Sequence, residues 1–119
     1  MISASCHCGA VRIEVDTRPR SLTSCNCSIC RRLAALWAYY TRRKARLVSS
    51  KDAVSAYVWG DKGIEFYHCN TCGCATHYES VEKDIDSRFV VNARCMPEDA
   101  ISGVVIRHFD GASSWKYLD

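Results

Sequence analysis

Seven of the nine cysteines fall into three tight groups: Cys6-His7-Cys8-Gly9, Cys25-Asn26-Cys27-Ser28-Ile29-Cys30 and Cys69-Asn70-Thr71-Cys72-Gly73. Thiols one or two residues apart can be aimed at a common point by a single turn, which is the spacing of metal ligands. Soft thiolates around a tetrahedral centre point to zinc. A zinc knuckle such as Cys69-x-x-Cys72-Gly73 supplies two ligands and needs a second pair. Cys6-x-Cys8-Gly9, ending in glycine in the same way, is its natural complement. Joining them closes a long loop and makes a structural site. Cys25, Cys27 and Cys30 form a triplet, which is more than a knuckle needs. Either an internal ligand such as Cys74, Cys95 or a histidine completes the triplet, or its fourth position stays open to water or substrate. Zinc on three thiolates carries a net charge near −1, acidifies water poorly and holds an incoming thiol well. An open triplet therefore suits chemistry in which sulfur is the nucleophile or the leaving group. The expectation is two zinc ions per chain with different tasks.

The elements that must hold these groups read as β-strands. Val11, Ile13 and Val15 alternate with Arg12, Glu14 and Asp16, the period of a strand with one buried face. Pro19 interrupts regular pairing after it. A helical turn is expected over the second half of the triplet, followed by a strand from about Leu36. Further strands are expected at Arg46–Ser50, Ser55–Trp59, Ile64–Cys69, Ala75–Ser80, Arg88–Ala93 and Val104–His108, with a hairpin turn at Gly60–Gly63 and a helical turn at Pro97–Ala100. The fold class is mainly β, one domain over residues 1–119 built from short antiparallel strands with little helix.

Composition narrows the function classes. The chain is 48% hydrophobic and 24% charged, ordinary for a globular domain, and no apolar run approaches a membrane span. The start at Met1–Ser5 has no basic region leading into an apolar stretch, so a cytoplasmic, reducing setting is expected. There, cysteines serve as ligands rather than disulfides, and an odd number of them agrees. The formal charge of +3 assumes neutral thiols. Seven thiolates and two zinc ions bring the metallated chain near neutrality, which argues against a nucleic-acid partner. No motif that reads DNA or RNA is present either.

The ordered cysteine groups resemble the family of glutathione-dependent formaldehyde-activating enzymes, which includes centromere protein V. The likeness covers Cys6-x-Cys8-Gly9, Cys25-x-Cys27-Ser28-x-Cys30-Arg31 and Cys69-x-x-Cys72-Gly73 after Phe66-Tyr67. It extends to Val91-Asn92-Ala93-Arg94, Arg107-His108-Phe109-Asp110-Gly111 and Ser114-Trp115-Lys116. The resemblance implies a two-zinc β-tent, with a structural zinc on Cys6, Cys8, Cys69 and Cys72 and a catalytic-type zinc on Cys25, Cys27 and Cys30. It also implies a carbon–sulfur lyase reaction that interconverts formaldehyde plus glutathione with S-(hydroxymethyl)glutathione. Gly73-Cys74 departs from the hydroxyl residue that many members carry after Cys-Gly.

Other residues carry two readings each. Arg31 and Arg32, next to the triplet, can face an anionic thiol such as glutathione. The run Arg42-Arg43-Lys44-x-Arg46 reads as a solvated face or as a rim for such a ligand. Asn92 and Arg94, two apart on an expected strand, share a face where they bind a carboxylate or amide, or satisfy neighbouring backbone. His77, His108 or a tyrosine can carry the proton that a hemithioacetal hydroxyl requires. The aromatics Trp37, Tyr39, Tyr40, Trp59 and Trp115 read as core and rim packing. The competing functions are a non-enzymatic zinc module for a macromolecular partner, or a thiol redox sensor at the triplet.

Overall fold

The computed structural model describes all of residues 1–119 and is mainly β. Its strands are β1 (Ile2–Ser5), β2 (Arg12–Val15), β3 (Ser21–Cys25), β4 (Trp37–Thr41), β5 (Ala45–Leu47), β6 (Val54–Tyr57), β7 (Ile64–Cys69), β8 (Ala75–Ser80), β9 (Arg88–Asn92) and β10 (Val105–Phe109). Two short helices, α1 (Ser28–Leu33) and α2 (Glu98–Ile101), complete it. No helix is long and apolar enough to cross a membrane.

Strands β1, β2 and β5 make a three-stranded sheet in that order. The other seven form one sheet, ordered β10-β3-β4-β9-β8-β7-β6. Successive side chains on a strand point to opposite faces, so the seven-stranded sheet packs on both sides. On one face Ala38, Phe89 and Val91 join Leu22 and the three-stranded sheet's Ala4, Ile13, Val15 and Ala45 in the main core. On the other, Trp37, Phe66, Tyr78 and Val90 pack beneath Cys30 and Ala35. This double cover explains why four consecutive residues of β8, Thr76 through Glu79, are all buried.

The expected strands over 64–69 and 75–80 and both helical turns are present, with small boundary shifts elsewhere. Three features depart from expectation. Strands β1 and β3 were not foreseen: β1 has only Ala4 buried, and β3 buries Leu22 and Thr23 in succession, so neither alternates cleanly. Not every pair is antiparallel, since β10 lies parallel to β3, with Phe109 opposite Cys25. Finally, β9 ends at Asn92 and the chain turns into a 3-10 turn at Ala93–Cys95, so Asn92 and Arg94 do not share a strand face.

One buried polar residue makes the fold sensitive to acid. His77 is stacked between Tyr67 and Phe89, with ring centroids 4.6 and 4.8 Å away. Its Nδ1 meets Thr76 Oγ1 at 2.9 Å, and its Nε2 has no hydrogen-bond partner. Glu79 Oε2 lies 3.5 Å from Nε2, but Glu79 is already paired with Arg42. Burial therefore prevails and pushes the imidazole down to about 3, with Lys83 adding to the shift. A folded-state histidine held neutral stabilises the fold fully above the unfolded value near 6.5. That stability is lost as pH falls from there toward 3, by at most about 1.4 kcal/mol per pH unit. His77→Phe is expected to show a shallower decline in unfolding free energy over this window than the wild type. Equal slopes in denaturant titrations at several pH values would refute the assignment.

Candidate metal centres

Two groups of cysteine sulfurs converge. Cys6, Cys8, Cys69 and Cys72 form one, and Cys25, Cys27 and Cys30 the other; within each, all sulfurs lie within 4.8 Å of one another. All nine cysteines are free thiols.

The four-sulfur group sits where the two sheets meet. The β1–β2 loop brings Cys6 and Cys8, and the β7–β8 turn brings Cys69 and Cys72. Both turns close with a glycine in the left-handed region, Gly9 at φ 85° and Gly73 at φ 79°. A side chain there would strain the backbone. Gly9 N–H donates to Cys6 O and Gly73 N–H to Cys69 O, so each turn closes from its glycine back onto its first cysteine, over three residues in one and four in the other. Sulfur separations are 3.7 Å for Cys6–Cys8 and 3.6 Å for Cys8–Cys69. Tetrahedral zinc with bonds of about 2.3 Å needs sulfurs about 3.8 Å apart, so the donor set fits that ion. Backbone N–H groups of Thr71 and Cys72 donate to Cys69 Sγ, and that of Val11 to Cys6 Sγ. The backbone N–H groups of Cys74 and Cys8 hold the Cys72 thiol down to about 5. Such donors favour the thiolate that a metal requires.

The triplet is assembled over a few residues. Cys25 ends β3, Cys27 caps α1, and Cys30 sits inside α1. Cys30 is buried, and its sulfur accepts a hydrogen bond from Trp37 Nε1 at 3.3 Å. Burial raises its thiol pKa, partly offset by that donor. Cys25 Sγ accepts from the Cys27 N–H at 3.5 Å. No further cysteine, histidine or carboxylate joins this group. The residues that might have closed it lie elsewhere. Cys74 packs beside the four-sulfur group, Cys95 Sγ contacts Ala75 O, and His77 faces the opposite side of the sheet from Tyr78.

The remaining sequence candidates separate clearly. Arg31 and Arg32 are exposed in the last turn of α1, where their charge complements the helix end. Arg32 donates to Ser28 O, while Arg31 makes no ion pair. Asn92 is buried, donating to Ala75 O and accepting from the N–H groups of Leu36 and Arg94. Arg94 Nε donates to Ala34 O at 2.9 Å. Both therefore hold the backbone that leaves α1, and so steady the triplet from behind. The basic run is largely neutralised: Arg42 pairs with Glu79, Arg43 with Asp86 and Arg46 with Asp16. Those partners are 30 or more residues away in sequence, which is why the run looked unpaired.

Sequence reasoning did not single out two hydroxyls on the triplet's face. Tyr39 and Tyr78 both stand opposite Val90 in the sheet register, one on each side. They consequently share its face. Register alone brings them together. The nearest sequence signal was the aromatic content of β4.

Taken together, a mainly β chain that gathers one four-sulfur and one three-sulfur cysteine group, each able to hold a metal ion, defines a cysteine-rich β type of domain. The sequence model of the glutathione-dependent formaldehyde-activating enzymes matches residues 1–105, and the chain belongs to that family. It is also similar to the crystal structure of a Rhodobacter sphaeroides protein, a structural-genomics target. That likeness has a TM-score of 0.72 at 30% identity and covers 88% of this chain and 98% of the other.

Proposed function

We propose that this protein is a zinc-dependent carbon–sulfur lyase-like enzyme acting on the adduct of a small thiol, glutathione first, with formaldehyde or a related aldehyde. The family supports the substrate pair. The observation that carries the reading is the asymmetry between the two cysteine groups: one offers four convergent sulfurs, the other three with no fourth protein ligand. Closed sites are structural, and sites with an open position do chemistry.

Zinc bound by Cys25, Cys27 and Cys30 would supply one open position that receives the substrate sulfur as a thiolate. The protein's own residues do the rest. Trp37 Nε1–H fixes the Cys30 sulfur, and Asn92 and Arg94 anchor the chain segment behind it. Arg31, exposed and free of an ion pair, is the cation available to a substrate carboxylate. In the forward direction the thiolate sulfur attacks the aldehyde carbon, a carbon–sulfur bond forms, and the carbonyl oxygen takes a proton. The reverse step returns that proton and releases the thiolate. Burial raises the pKa values of Tyr39 and Tyr78, so both stay protonated and can donate to that oxygen. The histidines are poorly placed for this role. His77 lies across the sheet, and His108, adjacent to Phe109 in β10, faces away from Cys25 and binds Asp119.

The test is cobalt substitution without oxygen, followed by a glutathione titration. A saturable gain in thiolate-to-metal absorption is expected in the wild type and not in Cys27→Ser. That variant should keep its fold and one ion while losing turnover. An unchanged spectrum with both sites filled would sink the reading in favour of a closed site.

A further inference from the structure

The segment that follows the family match folds back onto the triplet. Asn26, between two of the triplet cysteines, is clamped to it three times. Its N–H donates to Phe109 O at 3.2 Å, its Nδ2 donates to Asp110 Oδ1 at 3.0 Å, and its Oδ1 accepts from Ala112 N–H at 2.9 Å. Asp110 ties the loop to itself, since its Oδ2 accepts from both the N–H and the Oγ of Ser114. Trp115 N–H returns to Asp110 O, and the Trp115 ring meets Phe109 edge-on at 5.1 Å. The result is a short, cross-braced wall.

Gly111 is where this wall touches the sulfurs. A Cβ at Gly111 would stand 2.8 Å from Cys25 Sγ and 3.0 Å from Cys27 Cβ. Ordinary contacts between such atoms are about 3.5–4.0 Å, so the backbone already lies against the triplet. Gly111 does not have a positive φ, so alanine there carries no backbone strain. The steric contact alone excludes a side chain. A free Cys25 thiol can rotate away from an intruding methyl. A Cys25 sulfur tied to the same ion as two other sulfurs cannot.

We propose that Gly111 is a positioning residue of the triplet centre: the Asp110–Trp115 wall closes one side of it and holds Cys25 Sγ at the place a shared ion requires. This rests on the reading of the triplet as a metal site. It assigns the segment beyond residue 105 to the centre itself, and it directs any incoming thiol to the sides the wall leaves free.

The experiment is chelator competition on the zinc-loaded full chain, with cobalt spectra in parallel. Gly111→Ala should weaken the triplet ion by roughly 10–100-fold, the usual effect of disturbing a ligand's support. The four-sulfur ion should hold as tightly as in wild type, and the melting temperature of the one-ion form should fall only slightly, because the Cys27 Cβ contact persists when the Cys25 thiol rotates away. Asp110→Ala frees the wall, so alone it should also weaken the triplet ion, and in the double variant Asp110→Ala/Gly111→Ala it should add little to the Gly111→Ala loss, since both act on one support. Wild-type affinity in either single variant, or fully additive losses in the double variant, would overturn the proposal. If the wild type takes up only one ion, the functional reading fails. The wall is then judged by iodoacetamide labelling of Cys25 in that one-ion protein. Asp110→Ala should label several-fold faster, and equal rates would remove the wall as well.

Discussion

Cys69→Ser is expected to leave the chain without a cooperative fold. Cys69 is almost fully buried, its sulfur is 3.6 Å from that of Cys8, and 61 residues separate the two in sequence. That group joins the three-stranded sheet to the β7–β8 end of the larger one, and only a few apolar side chains, among them Val11, Leu47 and Val54, pack around it. Structural zinc binding in small domains is worth about 10–16 kcal/mol, while a whole domain is stable by about 5–15 kcal/mol. A substitution that abolishes binding at such a site would remove an amount comparable to the total. Metal analysis together with far-ultraviolet circular dichroism checks this. A folded Cys69→Ser protein melting near the wild-type temperature would show that the four-sulfur group is not the staple. The contrast with Cys27→Ser, which should keep its fold, separates the roles of the two groups.

Trp37→Ala should destabilise more than any other single substitution in the apolar core. Trp37 is the largest fully buried side chain. It packs edge-on against Tyr78 at 4.9 Å and tilted against Phe66 at 6.3 Å, and it is the floor on which Cys30 rests. Truncating a buried tryptophan costs about 3–5 kcal/mol. For a domain of this size that lowers the melting temperature by roughly 10 °C or more. Trp37→Phe separates packing from the polar contact. It keeps most of the ring volume but deletes the N–H that reaches Cys30 Sγ. Its stability should fall by only about 1 kcal/mol beyond the packing change, while the triplet's metal affinity drops roughly tenfold or more. Thermal melts read the first effect and chelator competition the second. A Trp37→Phe protein with wild-type metal affinity would reduce Trp37 to a packing residue.

How much of this was legible beforehand follows from the range of each interaction. The triplet spans six residues and the knuckle four, so ligand spacing and turn glycines are local facts written into neighbouring positions. Strand β2 was legible because one of its faces is wetter than the other. Strand β8 has both faces buried, yet its aromatic and β-branched residues between turn signals still marked it. Strand β3 lacks both cues. Its pairing with β10 is parallel and joins residues more than eighty apart, which no local pattern records. Asn92 and Arg94 carried two readings, a ligand contact or support for neighbouring backbone, and local sequence does not choose between them; in the fold they bond to the backbone of Ala34, Leu36 and Ala75.

The amino-acid order, read without a structure, establishes the mainly β class and the local cysteine pairs and triplet, because thiolate spacing and strand period act over a few residues; that no further cysteine or histidine joins the triplet is decided by the tertiary fold. Which side chains stand around those groups is a matter of register and chain return. Tyr39 and Tyr78 share a face because each lies opposite Val90, and the basic run is quiet because distant carboxylates reach it. Gly111 comes to rest on Cys25 because β10 lies beside β3 and the chain then folds back over the triplet. These arrangements depend on contacts between residues far apart in sequence, and such contacts exist only once the chain has closed on itself.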